Sequence, residues 1–171
     1  NAIDAAFVLI QGLKELEVKW NAQRVDQPHY ADHDHPLNFN VGKIEGGDWA
    51  SSVPSWCVFD LRVAVYPGDD LAARRAELEA CIHDAASQDA FLRNAPPQVT
   101  YHGLMAEGYT LHDADEAEAT LGWAHESAYG QPLQVVATTA TTDARFFGLY
   151  ADIPGLVYGP TSDAIHGFDE R

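Results

Sequence analysis

Apolar and polar positions at the start of the chain alternate with the period of an amphipathic helix. The apolar positions that recur at helical spacing are Ile3, Phe7, Ile10, Leu13 and Trp20. This spacing places them on one face, with charged residues between them on the other. Pro28 closes the pattern, because proline cannot continue a helix. The pattern predicts a helix over residues 2–24 and then a polar loop.

Two strands and a second helix are predicted next. Residues 37–45 alternate in part and end at a pair of glycines that favours a turn. Residues 55–66 carry the strongest strand pattern, because aromatic and β-branched side chains dominate them. Asp69 or Asp70 can then cap a helix, which we expect to end near Ser87.

A further strand is predicted over residues 98–104, so the order is helix, strand, strand, helix, strand. This is the order of a split β-α-β-β-α-β layout that lacks its first strand. We therefore predict an α+β domain over residues 1–112. Its sheet is expected to be antiparallel, with both helices on one face.

The pattern changes after residue 112. Asp113 or Asp115 is predicted to cap a helix, and a shorter helix is predicted over residues 143–149. Short apolar runs are predicted as strands at 133–137 and 153–158. This alternation of helix and strand indicates a partial α/β domain over residues 113–171.

The chain is strongly acidic, with a formal net charge of −16 over 171 residues. This argues against nucleic acid and anionic membranes as partners, because binding to phosphates rests on Lys and Arg. Acidic surfaces are common in cytoplasmic enzymes, and we expect a cytoplasmic protein. Cys57 and Cys81 lie in apolar patterns and are interpreted as small buried thiols rather than as a disulfide or a catalytic pair.

Two side chains are candidates for binding or catalysis from their sequence context alone. His166 follows a predicted strand and a Gly-Pro turn, where α/β folds place binding loops, and imidazole is a common zinc ligand. A lone loop histidine is nevertheless more often solvated or structural. Arg62 interrupts an apolar strand, so it either holds a carboxylate through two hydrogen bonds or faces solvent.

Two further segments leave alternatives open. Thr141 and Thr142 precede a short predicted helix, where hydroxyls and backbone N–H groups bind an anion or cap the helix. Capping is favoured on local grounds. A histidine-rich loop could hold a metal, but its spacing fits no closed site and a surface loop is favoured. Its polar residues are His29, Asp32, His33, Asp34 and His35.

Two groups of motifs resemble a known family. The first group is NFNVGKIEGG at 38–47, SSVP at 51–54, DLR at 60–62 and YPG at 66–68. The second is TDARF at 142–146, IPG at 153–155, YGP at 158–160 and AIHGFDE at 164–170. Their order and spacing resemble the lid, or dimerisation, domain and the C-terminal catalytic segment of zinc-dependent amidohydrolases and metallopeptidases. Acetylornithine deacetylase, succinyl-diaminopimelate desuccinylase and aminoacylase belong to that family.

The resemblance implies a lid domain over residues 1–112 and part of a catalytic domain over 113–171. It implies a homodimer formed through the lid. It also implies hydrolysis of the amide bond of an N-acyl amino acid by a water that two zinc ions activate, with cobalt or manganese as alternatives.

The resemblance also assigns roles to residues. His166 is expected to be a metal ligand, and Arg62 is expected to engage a substrate carboxylate. Ser51, Thr141 and Thr142 are expected to bind substrate. Ser51 and Thr141 depart from the asparagine and glycine that relatives often carry there, which leaves the substrate open.

The resemblance places the catalytic base and the other metal ligands upstream of Asn1, so no catalytic residue is expected within the chain. We therefore expect an internal fragment that is inactive alone. The rival interpretation is a non-catalytic dimerisation module.

Overall fold

A computed structural model describes residues 1–160 of the chain. Its helices and strands are α1 (Ala2–Ala22), β1 (Phe39–Gly46), β2 (Cys57–Val63), α2 (Leu71–Gln88), α3 (Asp115–Tyr129) and α4 (Ala144–Ala151). A single 3₁₀ turn, Gln23–Asp26, follows α1. The two strands pair antiparallel, so the predicted α+β class is confirmed.

The described chain forms two compact units. The first contains Asn1–Gly108 together with Ala137–Ala140, and the second contains Tyr109–Val136 and the described residues from Thr141 onward. The boundary predicted after residue 112 stays a prediction.

Helices α1 and α2 begin where the sequence supplies side-chain caps. The Asn1 carboxamide oxygen accepts a hydrogen bond from the Asp4 N–H at 2.9 Å. Asp70 does the same for the N–H of Ala72 at 2.8 Å. Each bond satisfies a donor that a helix start otherwise leaves free, which fixes both starts close to their predicted positions.

Both helices of the first unit pack on one face of the hairpin. The largest fully buried side chains there are Leu13, Trp20, Phe39 and Tyr66. Trp20 meets Phe39 edge to face, with ring centres 5.0 Å apart. A second cluster around Ala5, Leu9, Ala86 and Leu92 continues the contact between the helices. The opposite face of the hairpin carries no helix of the first unit.

The strand predicted over residues 98–104 is wrong, because the described structure contains no strand there. A strand needs a neighbouring backbone to pair with, and this segment has none in the described chain. Instead Tyr101 lies under the guanidinium of Arg75, at 4.3 Å from its ring centre. Gly103, with φ of 80°, then turns the chain.

The two short strands predicted after residue 112 are also wrong. Residues 133–137 form no ladder, and Val135 is 83% exposed. In the segment 153–158 the backbone donors are used locally. Ile153 N–H donates to the Phe147 carbonyl at 3.1 Å, and Gly155 N–H donates to the Tyr109 hydroxyl at 3.0 Å.

None of the helices within residues 1–160 is long and apolar enough to cross a membrane.

Candidate functional site

The helix-free face of the hairpin carries the polar side chains that the sequence singles out. Along β2, Phe59, Leu61 and Val63 pack against the core. Because successive residues of a strand point to opposite faces, Asp60 and Arg62 lie on the other, open face.

The register of the two strands sets which side chains meet on this open face. Asn40 pairs with Arg62, and Lys43 pairs with Asp60. The register shifts between Val41 and Lys43, so Gly42 is the extra residue of a bulge. The bulge keeps both pairs on the same face although three positions, not two, separate Asn40 from Lys43.

Most charges of the open face have partners. Lys43 Nζ lies 3.0 Å from a carboxylate oxygen of Glu45, and this hydrogen bond raises the pKa of Lys43. Asp60 lies 3.4 Å from the His102 ring nitrogen. Arg62 is exposed and makes no side-chain hydrogen bond or ion pair with any residue from 1 to 160. Its guanidinium is therefore available to an anion.

Ser51 lies in the loop between β1 and β2. Asp48 shapes this loop by accepting a hydrogen bond from the Trp56 indole at 3.1 Å, and Ser52 N–H donates to the Trp49 carbonyl at 2.9 Å. Ser51 itself is exposed. It lies at the end of the hairpin opposite Arg62, because Cys57 and Arg62 are five residues, or about 17 Å, apart along β2. The structure does not bring these two predicted residues together within the unit.

Thr141 and Thr142 precede α4 in the second unit. The N-cap position is Asp143, and it makes no side-chain capping bond. Capping by the threonines, the favoured local interpretation, is therefore wrong. Within the described residues their hydroxyls make no hydrogen bond, while Arg145, one turn on, is 7% exposed. Their predicted role in binding substrate stays a prediction.

His166 lies outside the described residues, so its predicted role as a metal ligand stays a prediction. Between residues 1 and 160, no three His, Cys, Asp or Glu side chains converge in a way that could hold a metal ion. The described residues therefore do not by themselves fit the implied zinc site.

The histidine-rich loop makes two contacts through its histidine rings. The His35 ring nitrogen lies 3.1 Å from a carboxylate oxygen of Glu17, and the Tyr30 ring contacts His33 with centres 5.7 Å apart. The favoured interpretation as a surface loop stays a prediction.

Sequence reasoning missed Asn40 as a candidate. It sits opposite Arg62 only because of the bulge at Gly42, and no local pattern encodes that register. The signal available was its place in the strand motif at residues 38–47.

Two helices on one face of an antiparallel hairpin, with a charged open face, define a small α+β domain. Residues 1–90, more than half of the chain, match the peptidase dimerisation domain family. The chain belongs to that family, and the predicted kinship with the amidohydrolase and metallopeptidase group is confirmed.

The chain is also similar to a deformylase. It is 25% identical over 168 residues to N-formyl-4-amino-5-aminomethyl-2-methylpyrimidine deformylase from Halalkalibacterium halodurans. The match covers 94% of this chain but 38% of that protein. The chain therefore spans well under half the length of this relative.

Proposed function

We propose that the chain is part of a metal-dependent hydrolase that cleaves the amide bond of an N-acyl amino acid. The observation that carries the proposal is the family match over residues 1–90, joined to similarity with a deformylase that extends over nearly the whole chain. A deformylase removes an acyl group from nitrogen, which is the same class of bond. We further propose that the protein is a homodimer through the lid domain and works in the cytoplasm.

In the proposed hydrolase, Arg62, Ser51, Thr141 and Thr142 bind the substrate and take no direct part in breaking the amide bond. Arg62 engages the substrate carboxylate, and its availability on the open face supports that role. Ser51 contacts substrate from the hairpin loop, while Thr141 and Thr142 contact it from the segment before α4. Since Ser51 and Arg62 lie at opposite ends of the hairpin, we assign them to different parts of the substrate or to different active sites of the dimer.

The proposed hydrolase needs ligands beyond residues 1–160 to hold zinc. His166 is the candidate that this chain contributes. Bound zinc would supply an activated water and polarise the amide carbonyl.

A second substrate class has one specific observation in its favour. The curated relative is named for an N-formyl aminomethylpyrimidine, a compound whose name contains no carboxylate. If the present protein acts on such a compound, the amide hydrolysis stands but Arg62 has no substrate carboxylate to bind.

The rival from another class is a non-catalytic dimerisation module. An assay of the full-length protein, supplied with zinc, cobalt or manganese, decides between them. The panel contains N-formyl, N-acetyl and N-succinyl amino acids and the formylated aminomethylpyrimidine, with release of free amine as the readout. Hydrolysis that a chelator abolishes supports the proposal. A fully metallated protein that cleaves none of them, yet is dimeric by light scattering, supports the rival.

A further inference from the structure

Asn40 and Arg62 form a directly opposed pair on the open face of the hairpin. Directly opposed residues of antiparallel strands have Cβ atoms about 4.5–5.5 Å apart, so both heads can reach one small anion. Both side chains are exposed. Within residues 1–160 neither makes a side-chain hydrogen bond, although each carries N–H donors.

The backbone leaves space for the Asn40 amide. A Cβ atom placed on Gly42 would lie 3.3 Å from Asn40 Nδ2, which is tighter than an ordinary contact. The amide therefore lies close over the glycine of the bulge. A larger residue at position 42 would press on this amide and turn it away from its present direction.

Neighbouring charges do not compete for Arg62. Lys43 is paired with Glu45 and Asp60 with His102, at 3.0 Å and 3.4 Å. The pair formed by Arg62 and Asn40 combines a positive charge with a neutral donor beside it. A carboxylate matches this arrangement, because its two oxygens accept from the guanidinium while one also accepts from the amide.

We propose that Asn40 is a second substrate-binding residue, which holds the substrate carboxylate together with Arg62. The inference rests on the proposed amide hydrolase and favours its N-acyl amino acid substrates over the formylated aminomethylpyrimidine. Because an amide does not titrate, its contribution is constant across the pH range in which the carboxylate is ionised.

The test compares Asn40→Ala and Asn40→Asp in the full-length protein on two substrates, an N-acyl amino acid and its carboxamide. Asn40→Ala is expected to raise KM about tenfold for the acid, which is the lower end for a hydrogen bond to a charged group. The KM of the neutral carboxamide is expected to rise clearly less, because a hydrogen bond to an uncharged acceptor is weaker. Asn40→Asp is expected to lose more on the acid, since its carboxylate pairs with Arg62 and repels the substrate. Asn94→Ala, an exposed asparagine outside the sheet, is the matched control.

Combining Asn40→Ala with Arg62→Ala sharpens the result. If both residues hold one carboxylate, the double variant should lose less on the acid than the product of the two single losses. Equal losses on acid and carboxamide, or no loss in an enzyme that hydrolyses N-acyl amino acids, would overturn the inference while leaving the hydrolase intact. Turnover of the formylated aminomethylpyrimidine alone would overturn it as well.

A binding measurement tests the inference even if no turnover is found. Full-length protein with ¹⁵N-labelled asparagine is titrated with N-acetylglycine, and the Asn40 side-chain signal is assigned by its loss in Asn40→Ala. A shift with N-acetylglycine, smaller or absent with N-acetylglycinamide and lost in Arg62→Ala, supports the shared site. An unmoved signal at saturating ligand overturns it.

Discussion

The backbone N–H of Phe39 donates a hydrogen bond of 2.6 Å to Glu17 Oε1, which connects the C-terminal half of α1 to the first residue of β1. The other carboxylate oxygen of Glu17 accepts from Lys14 at 2.8 Å. Beside it, Asn21 bonds both the N–H and the carbonyl of Leu37, at 2.9 Å and 2.8 Å. These buried contacts set where β1 begins, and hence which residues reach the open face.

The Glu17 carboxylate predicts a pH-dependent stability. Burial raises its pKa, but hydrogen bonds from Lys14, the Phe39 N–H and His35 outweigh burial, so the folded-state pKa lies below the ordinary 4.5. A lowered pKa means that stability from the carboxylate is present above about pH 4.5 and is lost as the pH falls through the folded-state value. Glu17→Gln should lose about 1–3 kcal/mol of unfolding free energy near neutral pH.

Urea unfolding from pH 7 down to pH 3 measures this difference, which should shrink towards the acid end. Glu15→Gln, an exposed glutamate on the same helix, is the control and should stay close to the parent. A constant difference between Glu17→Gln and the parent at every pH would show that the charge of Glu17 is not what stabilises the fold.

Replacing a glycine by alanine is expected to have opposite effects on stability at two positions. A Cβ atom at Gly148 of α4 would overlap the Tyr109 ring, whereas one at Gly122 of α3 meets no atom within 4 Å. Gly148→Ala should destabilise by about 1–3 kcal/mol, as overpacking does. Gly122→Ala should stabilise by about 0.5–1 kcal/mol, because glycine disfavours a helix interior.

Hydrogen exchange of α3 and α4 in the full-length protein reports each effect locally. Faster exchange in α4 for Gly148→Ala and slower exchange in α3 for Gly122→Ala are expected. If Gly148→Ala left α4 as protected as in the parent, the contact with Tyr109 would not constrain that helix.

The sequence predicts the helices of this chain better than its strands. Helices α1 and α2 are local structures, so the helical spacing of their apolar residues and the cap of α2 at Asp70 can be recognised in the sequence. The exact buried face cannot, because Phe7 of the predicted apolar face of α1 is 58% exposed. A strand forms only where a neighbouring strand can pair with it. Residues 98–104, 133–137 and 153–158 favour strands by composition, but the described chain contains no strand that pairs with them. The hairpin was predictable because β1 and β2 are neighbours in both sequence and space.

The residues of the candidate site also differ in how far the sequence predicts them. Arg62 is recognisable as a cation within an apolar strand, although sequence left its direction open between a ligand and solvent. Asn40 is not recognisable, because its place opposite Arg62 depends on the bulge at Gly42. Ser51 follows from the family resemblance, but its distance from Arg62 along the hairpin required the structure.

Arg62 predicts a loss of substrate binding without a loss of stability. Because its side chain is exposed and makes no hydrogen bond or ion pair within the described residues, Arg62→Ala should leave the melting temperature nearly unchanged. Losing a hydrogen-bonded carboxylate should lower catalytic efficiency on N-acyl amino acids by about 1.5–3 kcal/mol of transition-state binding. Steady-state kinetics and thermal unfolding of the full-length protein measure the two quantities side by side.

The exposed Arg93, in the loop after α2, provides the control for Arg62. Arg93→Ala removes the same charge from the protein without touching the sheet, so any general electrostatic effect appears in both variants. A lower melting temperature with unchanged kinetics for Arg62→Ala would assign this residue to the fold instead of the substrate.

We expect the removal of the His166 side chain to lower metal content and activity together. A two-metal site assembles imidazoles and carboxylates from several segments, so removing one ligand weakens the whole site. In the full-length protein, His166→Ala should lower the metal content and nearly abolish turnover while the protein stays folded. Metal stoichiometry by mass spectrometry, measured beside activity and circular dichroism, separates loss of a ligand from loss of the fold. His83→Ala, with a side chain 85% exposed on α2, should keep both metal and rate. A His166 variant with a full metal complement and a near-normal rate would remove this histidine from the ligand set.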